Sequence, residues 1–195
     1  SFVPTRAQHR LRPVSEMTGR PALELHLRKL DTVGNVMMTT AHPDDENNAL
    51  LAYYGLTKGF RTSLVTATRG EGGQNEIGPE IFEALAVLRT EELLAVHKFD
   101  GAEQYFTRAV DFGYSKSGSD TLAKWGRDAV VREIARAIRL VQPEIVISRW
   151  TGQRADEHGH HQAIGELTAE AFRAASDPNL LPELRQLGLE AWGSR

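Results

Sequence analysis

Four short runs rich in β-branched and apolar residues, at 33–40, 62–68, 104–106 and 144–150, alternate with long stretches whose apolar residues recur at helical spacing. A run such as NVMMTT or TSLVTAT has no polar side to turn to water, so a strand made from it must be covered on both faces. The stretches that follow can supply the cover. Residues 45–58 carry Leu50, Leu51, Tyr54 and Leu56 and stop at Gly59; residues 79–98 open on Pro79 and present Ile81, Leu85, Leu88, Leu93 and Val96. Further helices are expected over 121–141, capped by Asp120, and over 158–175. Strand and helix in strict alternation predict parallel pairing through right-handed crossovers. The expected fold class is therefore α/β, a Rossmann-like three-layer sandwich with a mainly parallel sheet.

Size and charge narrow the possibilities. A chain of 195 residues suits one sizeable core. Its net charge of −3, with acids and bases interspersed, offers no basic patch for nucleic acid. No apolar run reaches the roughly 18 residues that a membrane span needs. Residues 1–15 read as an extended polar arm, and Leu23, Leu25, Leu27 and Leu30 mark a short helix. The expected organisation is an N-terminal arm and helix over 1–30 and one catalytic domain over 31–195. The chain opens without methionine and closes on GLEAWGSR, as expected of a portion of a longer protein. Oligomeric state is not legible.

In a parallel α/β sheet, ligands sit beyond the C-terminal ends of the strands, and the sequence turns unusual at those ends. AHPDDE, residues 41–46, follows the first strand, with Pro43 forcing a turn before the next helix. Adjacent carboxylates repel and are costly to desolvate unless a cation sits among them. The segment is thus either a solvated turn or built around a cation. HGHH, residues 158–161, follows the fourth strand and holds three of the chain's seven histidines. His158 and His161 are three apart and share a face at a helix start. With no cysteine in the chain, a metal could be held only by His, Asp and Glu. Two imidazoles and a carboxylate make a common zinc set with one position left for water.

AHPDDE after the first strand, TRGEGGQN after the second, RTEEL in the following helix and HGHHQA after the fourth together resemble the PIG-L/LmbE family. Members of that family are zinc-dependent N-deacetylases acting on N-acetylglucosamine conjugates and related molecules. The resemblance covers roughly residues 33–175. It implies His42, Asp45 and His161 as metal ligands, Asp44 as general base and His158 as the histidine facing the substrate carbonyl. Arg89 and Asp111 match substrate contacts. The implied cofactor is Zn2+, with Fe2+ suiting the same ligands. The implied partner is a small molecule or glycan bearing an N-acetyl group. Where some members carry a tyrosine two residues before the first histidine of HxxH, this chain has Asp156. FTRAVDFGYSKS and ASDP further resemble a long bacterial branch, some members of which are exported, and so favour an exported or periplasmic location over a cytoplasmic one.

Chemically, the expected roles are proton abstraction by Asp44 and oxyanion stabilisation by a cationic His158, which then protonates the leaving amine. Competing readings are a metal-dependent amide hydrolase on a non-sugar substrate and a non-catalytic metal- or glycan-binding module. His160, between the paired histidines, is expected to face away at the surface or behind the ligands. Glu46 either orients a ligand or favours the positive end of a helix. Gly70, Gly72 and Gly73 lack phosphate-loop spacing and are expected to let backbone pass close to the site. Arg69 is weighed as a polar-group binder and Trp150 as a surface for a sugar. Arg127, Arg132, Arg136 and Arg139 read as a solvated helix face, and Trp125 and Trp192 as packing.

Overall fold

The computed structural model describes residues 13–73 and 75–193. Much of the expected N-terminal arm lies outside them. A four-stranded sheet forms the centre: β1 (Asn35–Thr40), β2 (Arg61–Thr66), β3 (Glu103–Phe106) and β4 (Ile145–Ser148). Their order is β3-β2-β1-β4, and every pairing among the described residues is parallel. The chain therefore steps outwards from β1 to β3, then returns to lay β4 against the free side of β1. The strand order thus reverses between β1 and β4, and the carboxyl ends of strands at such a reversal are where these sheets bind ligands.

Helices cover both faces. Successive residues of a strand point to opposite sides, and neighbouring methionines of β1 show it. Met37 joins the larger core, with Val65, Ile134, Ile138, Ile164 and Leu167. Met38 joins the smaller one, with Leu51, Leu64 and Leu93. The larger core lies under α5 (Arg127–Val141) and α6 (Gly159–Ser176), the smaller under α2 (Asn48–Ala52) and α3 (Phe82–Asp100). The expected α/β sandwich is the one observed. Before the sheet, α1 (Gly19–Leu30) is the short N-terminal helix, and α7 (Pro182–Gln186) is a short helix near the end that periodicity does not announce. No helix among the described residues is long and apolar enough to cross a membrane.

Three local differences from expectation have clear causes. The helix foreseen over 45–58 starts at Asn48, because the Asn47 side chain accepts the Leu50 N–H as an N-cap. It continues as a π-helical turn, Tyr53–Thr57, before stopping at Gly59 with φ +75°. The helix foreseen over 121–141 is broken into α4 (Gly118–Trp125) and α5 at Gly126, where φ is +78°. The cap of α4 is Ser117, whose hydroxyl accepts the Asp120 N–H; Asp120 is not itself the cap. Finally, Arg139 is not on a solvated face. It is 1% exposed and donates to the carbonyls of Ala174, Ala175, Asp177, Leu180 and Leu181 around the C-terminal end of α6.

Candidate metal centre

Immediately after β1, the chain folds around the carboxylate of Asp45. Its Oδ2 accepts the backbone N–H groups of Ala41 (3.1 Å) and His42 (2.8 Å) and the indole N–H of Trp150 (3.4 Å). Burial would raise this carboxyl, but hydrogen bonding to His161 and His42, with the latter's charge, holds it far below the ordinary carboxylate range. His42 Nδ1 lies 3.3 Å from Oδ2, and His161 Nε2 lies 3.4 Å from Oδ1. One ligand atom from each of His42, Asp45 and His161 falls within 4.8 Å of the other two.

Those separations are of the size a metal site needs. With zinc bonds of about 2.0–2.2 Å, neighbouring ligand atoms of a tetrahedron stand about 3.3–3.6 Å apart, and here each imidazole approaches a different oxygen of Asp45. The tautomer of His161 is consistent with this. Its Nδ1 is 3.3 Å from the carbonyl oxygen of Asp156, which can only accept, so Nδ1 carries a proton. In the neutral ring Nε2 then presents its lone pair to the carboxylate, an arrangement that a metal cation between them satisfies. The Trp150 ring stacks on His161 at 3.8 Å and 7°, fixing the plane of the imidazole. Trp150 thus serves as a wall of this cluster, with its face against His161 in place of the sugar-facing role considered from sequence. Asp156 holds the preceding loop, its carboxylate accepting N–H groups from Thr151, Gly152 and Gln153.

Asp44 sits in the same turn but points elsewhere, because its backbone adopts φ +111°, a conformation side chains rarely tolerate. Its Oδ2 accepts from Arg89 Nη2 at 2.6 Å, and the same nitrogen donates to the Pro43 carbonyl. Although the Asp44 side chain is 71% exposed, the protein crowded around it raises its carboxyl above the usual range against the pull of Arg89, and neighbouring Asp45 adds to the rise. Arg89 reaches the turn through a gap left by glycines. A Cβ on Gly70 or Gly73 would stand 2.5 Å from its Nη1. The glycines do admit close approach, and the guest is the Arg89 guanidinium. Beside this pair opens a cleft of about 520 Å3 whose lining includes Pro43, Asp44, Glu46, Leu88 and Arg89. Glu46 accepts the Asp44 N–H and so braces the strained turn.

His158 caps α6. Its Nδ1 accepts the His160 N–H at 3.0 Å, leaving Nε2 to carry the proton of the neutral ring. Burial, followed by the nearby His42 and His161, pushes its pKa down to about 4. Nδ1 being engaged by that N–H, the ring offers Nε2–H as its donor, and burial and the neighbouring imidazoles disfavour the cationic form considered from sequence. His160 is not at the surface: it is fully buried, and its Nδ1 is 2.8 Å from His42 Nε2. Asp111, 4% exposed, lies behind both, 4.0 Å from His42 Nε2 and 3.8 Å from His160 Nδ1. Its backbone N–H donates to Glu71 Oε2, which also accepts the Arg69 N–H and so ties the loops after β2 and β3 together. Glu71 went unnoticed in the sequence, where a glutamate among glycines carries no periodic signal. Arg69 itself stacks over Phe106 at 4.0 Å and donates to Thr90, so it is already engaged.

Among the described residues, the seven positions singled out from sequence fall into three groups. His42, Asp45 and His161 converge on one point, Asp44 and Arg89 form an ion pair at the edge of the cleft, and His158 and Asp111 flank His42 on its other side.

Several known proteins are similar to this chain. A 1D-myo-inositol 2-acetamido-2-deoxy-alpha-D-glucopyranoside deacetylase of Kineococcus radiotolerans is 31% identical over 183 residues, covering 80% of this chain and 49% of the relative. A second such deacetylase, from Frankia alni, is 30% identical, covering 73% of this chain and 55% of the relative. The chain spans about half the length of these relatives. Among solved structures, N,N'-diacetylchitobiose deacetylase from Pyrococcus horikoshii superposes with a TM-score of 0.67 at 18% identity, over 91% of this chain and 67% of that one. The 4-carboxy-2-hydroxymuconate hydratase of Pseudomonas putida also superposes, with a TM-score of 0.63 at 22% identity over 83% of this chain and 63% of that one. Both likenesses are of fold; they show that one scaffold carries different reactions. Residues 37–172 match the family described as GlcNAc-PI de-N-acetylase, and the chain belongs to that PIG-L family.

Proposed function

We propose that this chain is the catalytic portion of a zinc-dependent hydrolase that removes an N-acetyl group from an amino sugar or its conjugate. The observation that carries the reading is the convergence of His42, Asp45 and His161, with the Asp44 carboxylate, held by Arg89, in the same turn. The named activity of the relatives from Kineococcus and Frankia supports the sugar class.

When bound at these ligands, a divalent ion supplies Lewis-acid polarisation of the amide oxygen and acidifies a water. The chain's own residues supply the rest. Asp44 takes a proton from the attacking water as its oxygen bonds to the acyl carbon. Its raised affinity for protons suits it to hold that proton and pass it to the nitrogen as the carbon–nitrogen bond breaks. His158 donates through Nε2–H to the oxygen on which negative charge develops, and stays neutral while doing so. Arg89 holds the Asp44 carboxylate at the edge of the cleft, and Trp150 keeps the plane of His161. The products are acetate and a free amine.

The test is metal analysis of the purified chain together with amine release from N-acetylglucosamine conjugates and, in parallel, from N-acyl amino-acid amides. Asp44→Asn is expected to keep the metal and lose turnover by a factor of about 10²–10⁴. Full turnover in that variant refutes the mechanism. Release only from the amino-acid amides moves the substrate class, and metal binding with no release from either set supports the binding-module alternative.

A further inference from the structure

Resting on the metal reading, the geometry points to His160 as a positioning residue that couples the metal ligand His42 to the proton donor His158. Its ring and its backbone act on different partners. The ring places Nδ1 2.8 Å from His42 Nε2, and the backbone N–H donates to His158 Nδ1 at 3.0 Å. One residue therefore sets the orientation of an imidazole on each side of the cluster.

The hydrogen-bond logic is directional. A neutral His42 that ligates through Nδ1 must carry its proton on Nε2, and that proton needs an acceptor. The nearest oxygen of Asp111, Oδ2, stands 4.0 Å away, beyond hydrogen-bond reach. His160 Nδ1 is the atom within reach, so His160 must hold its own proton on Nε2. Without a metal the reverse arrangement is favoured: His42 keeps its proton on Nδ1, facing Asp45, and His160 Nδ1–H donates to His42 Nε2. Metal loading thus moves the proton of His160 from one ring nitrogen to the other. Around the ring, Asp111 Oδ1 at 3.8 Å from Nδ1 favours the metal-free arrangement, so the shift on loading must be driven by the ligand bond of His42. His160 Nε2 is buried with no hydrogen-bond partner, against the rings of Phe112 (4.4 Å) and Trp125 (4.8 Å).

The test separates acceptor position from packing. Asparagine puts a carbonyl oxygen where Nδ1 stands, whereas glutamine reaches the place of Nε2; both are polar and smaller than or close to the histidine in volume. Zinc affinity by chelator competition is expected to stay within about threefold of the parent in His160→Asn and to fall about 10–100-fold in His160→Gln. Long-range nitrogen–proton NMR of the parent should show the His160 proton on Nδ1 without zinc and on Nε2 with it. Equal affinities in the two variants, or an unchanged His160 tautomer on loading, overturn the positioning role while leaving the metal centre intact. A parent chain that binds no zinc overturns this inference and the proposed function together.

Discussion

Arg139 allows a stability prediction that does not depend on the metal centre. Its guanidinium is buried with no carboxylate among its hydrogen-bond partners, and all five of the carbonyls it serves cluster at the end of α6 and the turn beyond. Helix ends leave carbonyls unpaired and carry about half a negative charge, so one cation there answers both needs. Replacing it by methionine keeps the apolar stem and removes every donor. Hydrogen bonds to a charged group contribute about 1.5–3 kcal/mol each, or very roughly 7–15 kcal/mol gross for five. Desolvating the guanidinium offsets several kcal/mol of that gain, and the carbonyls left without a donor cost about 1–3 kcal/mol each where water does not reach them. Arg139→Met is therefore expected to lose about 3–5 kcal/mol in urea unfolding followed by circular dichroism, with an unchanged m-value. Zinc affinity should not change, since Arg139 lies in the last turn of α5, beside the N-terminal ends of the strands and opposite the candidate centre. A loss under 1 kcal/mol would refute the claim that these carbonyls depend on it.

Zinc at about 100 times its dissociation constant should stabilise the chain by about 2.7 kcal/mol, or about 5–10 °C in thermal midpoint for a domain of this size. Asp45→Ala should abolish that shift, and an equal shift in scanning fluorimetry would count against Asp45 as a ligand. Gly72→Ala should cost about 1–3 kcal/mol, because its Cβ would meet the Gly113 nitrogen at 2.4 Å and the Asp111 carbonyl oxygen at 2.7 Å; an unchanged urea midpoint contradicts this. His97 is buried, which lowers its pKa, but its partner Asp100 at 2.9 Å prevails and holds it above the ordinary 6.5. A raised folded-state pKa stabilises fully below the unfolded value and fades as pH rises through the folded one. The stability difference between the parent and His97→Asn should accordingly shrink from pH 6 to pH 9, and a difference that grows over that range would reverse the sign of the argument.

Local sequence specifies the alternation of strand and helix, the placement of the polar loops after β1 and β4, and the residue types available to a metal in a chain without cysteine. Those properties are local: periodicity, proline and glycine placement, and composition act over a few residues. Tertiary structure decided the rest. The strand order β3-β2-β1-β4 brings AHPDDE and HGHH to adjacent loops across more than a hundred residues, and no local pattern encodes that pairing. It also decided which histidines look inward. His158 takes the N-cap of α6, which turns His160 into the core against Trp125 and Phe112 and leaves His161 facing Asp45. The lowered proton affinity of His158 and the burial of Arg139 share one physical reason. Charge state and burial are set by neighbours that packing brings together, and those neighbours come from parts of the chain that no local window contains.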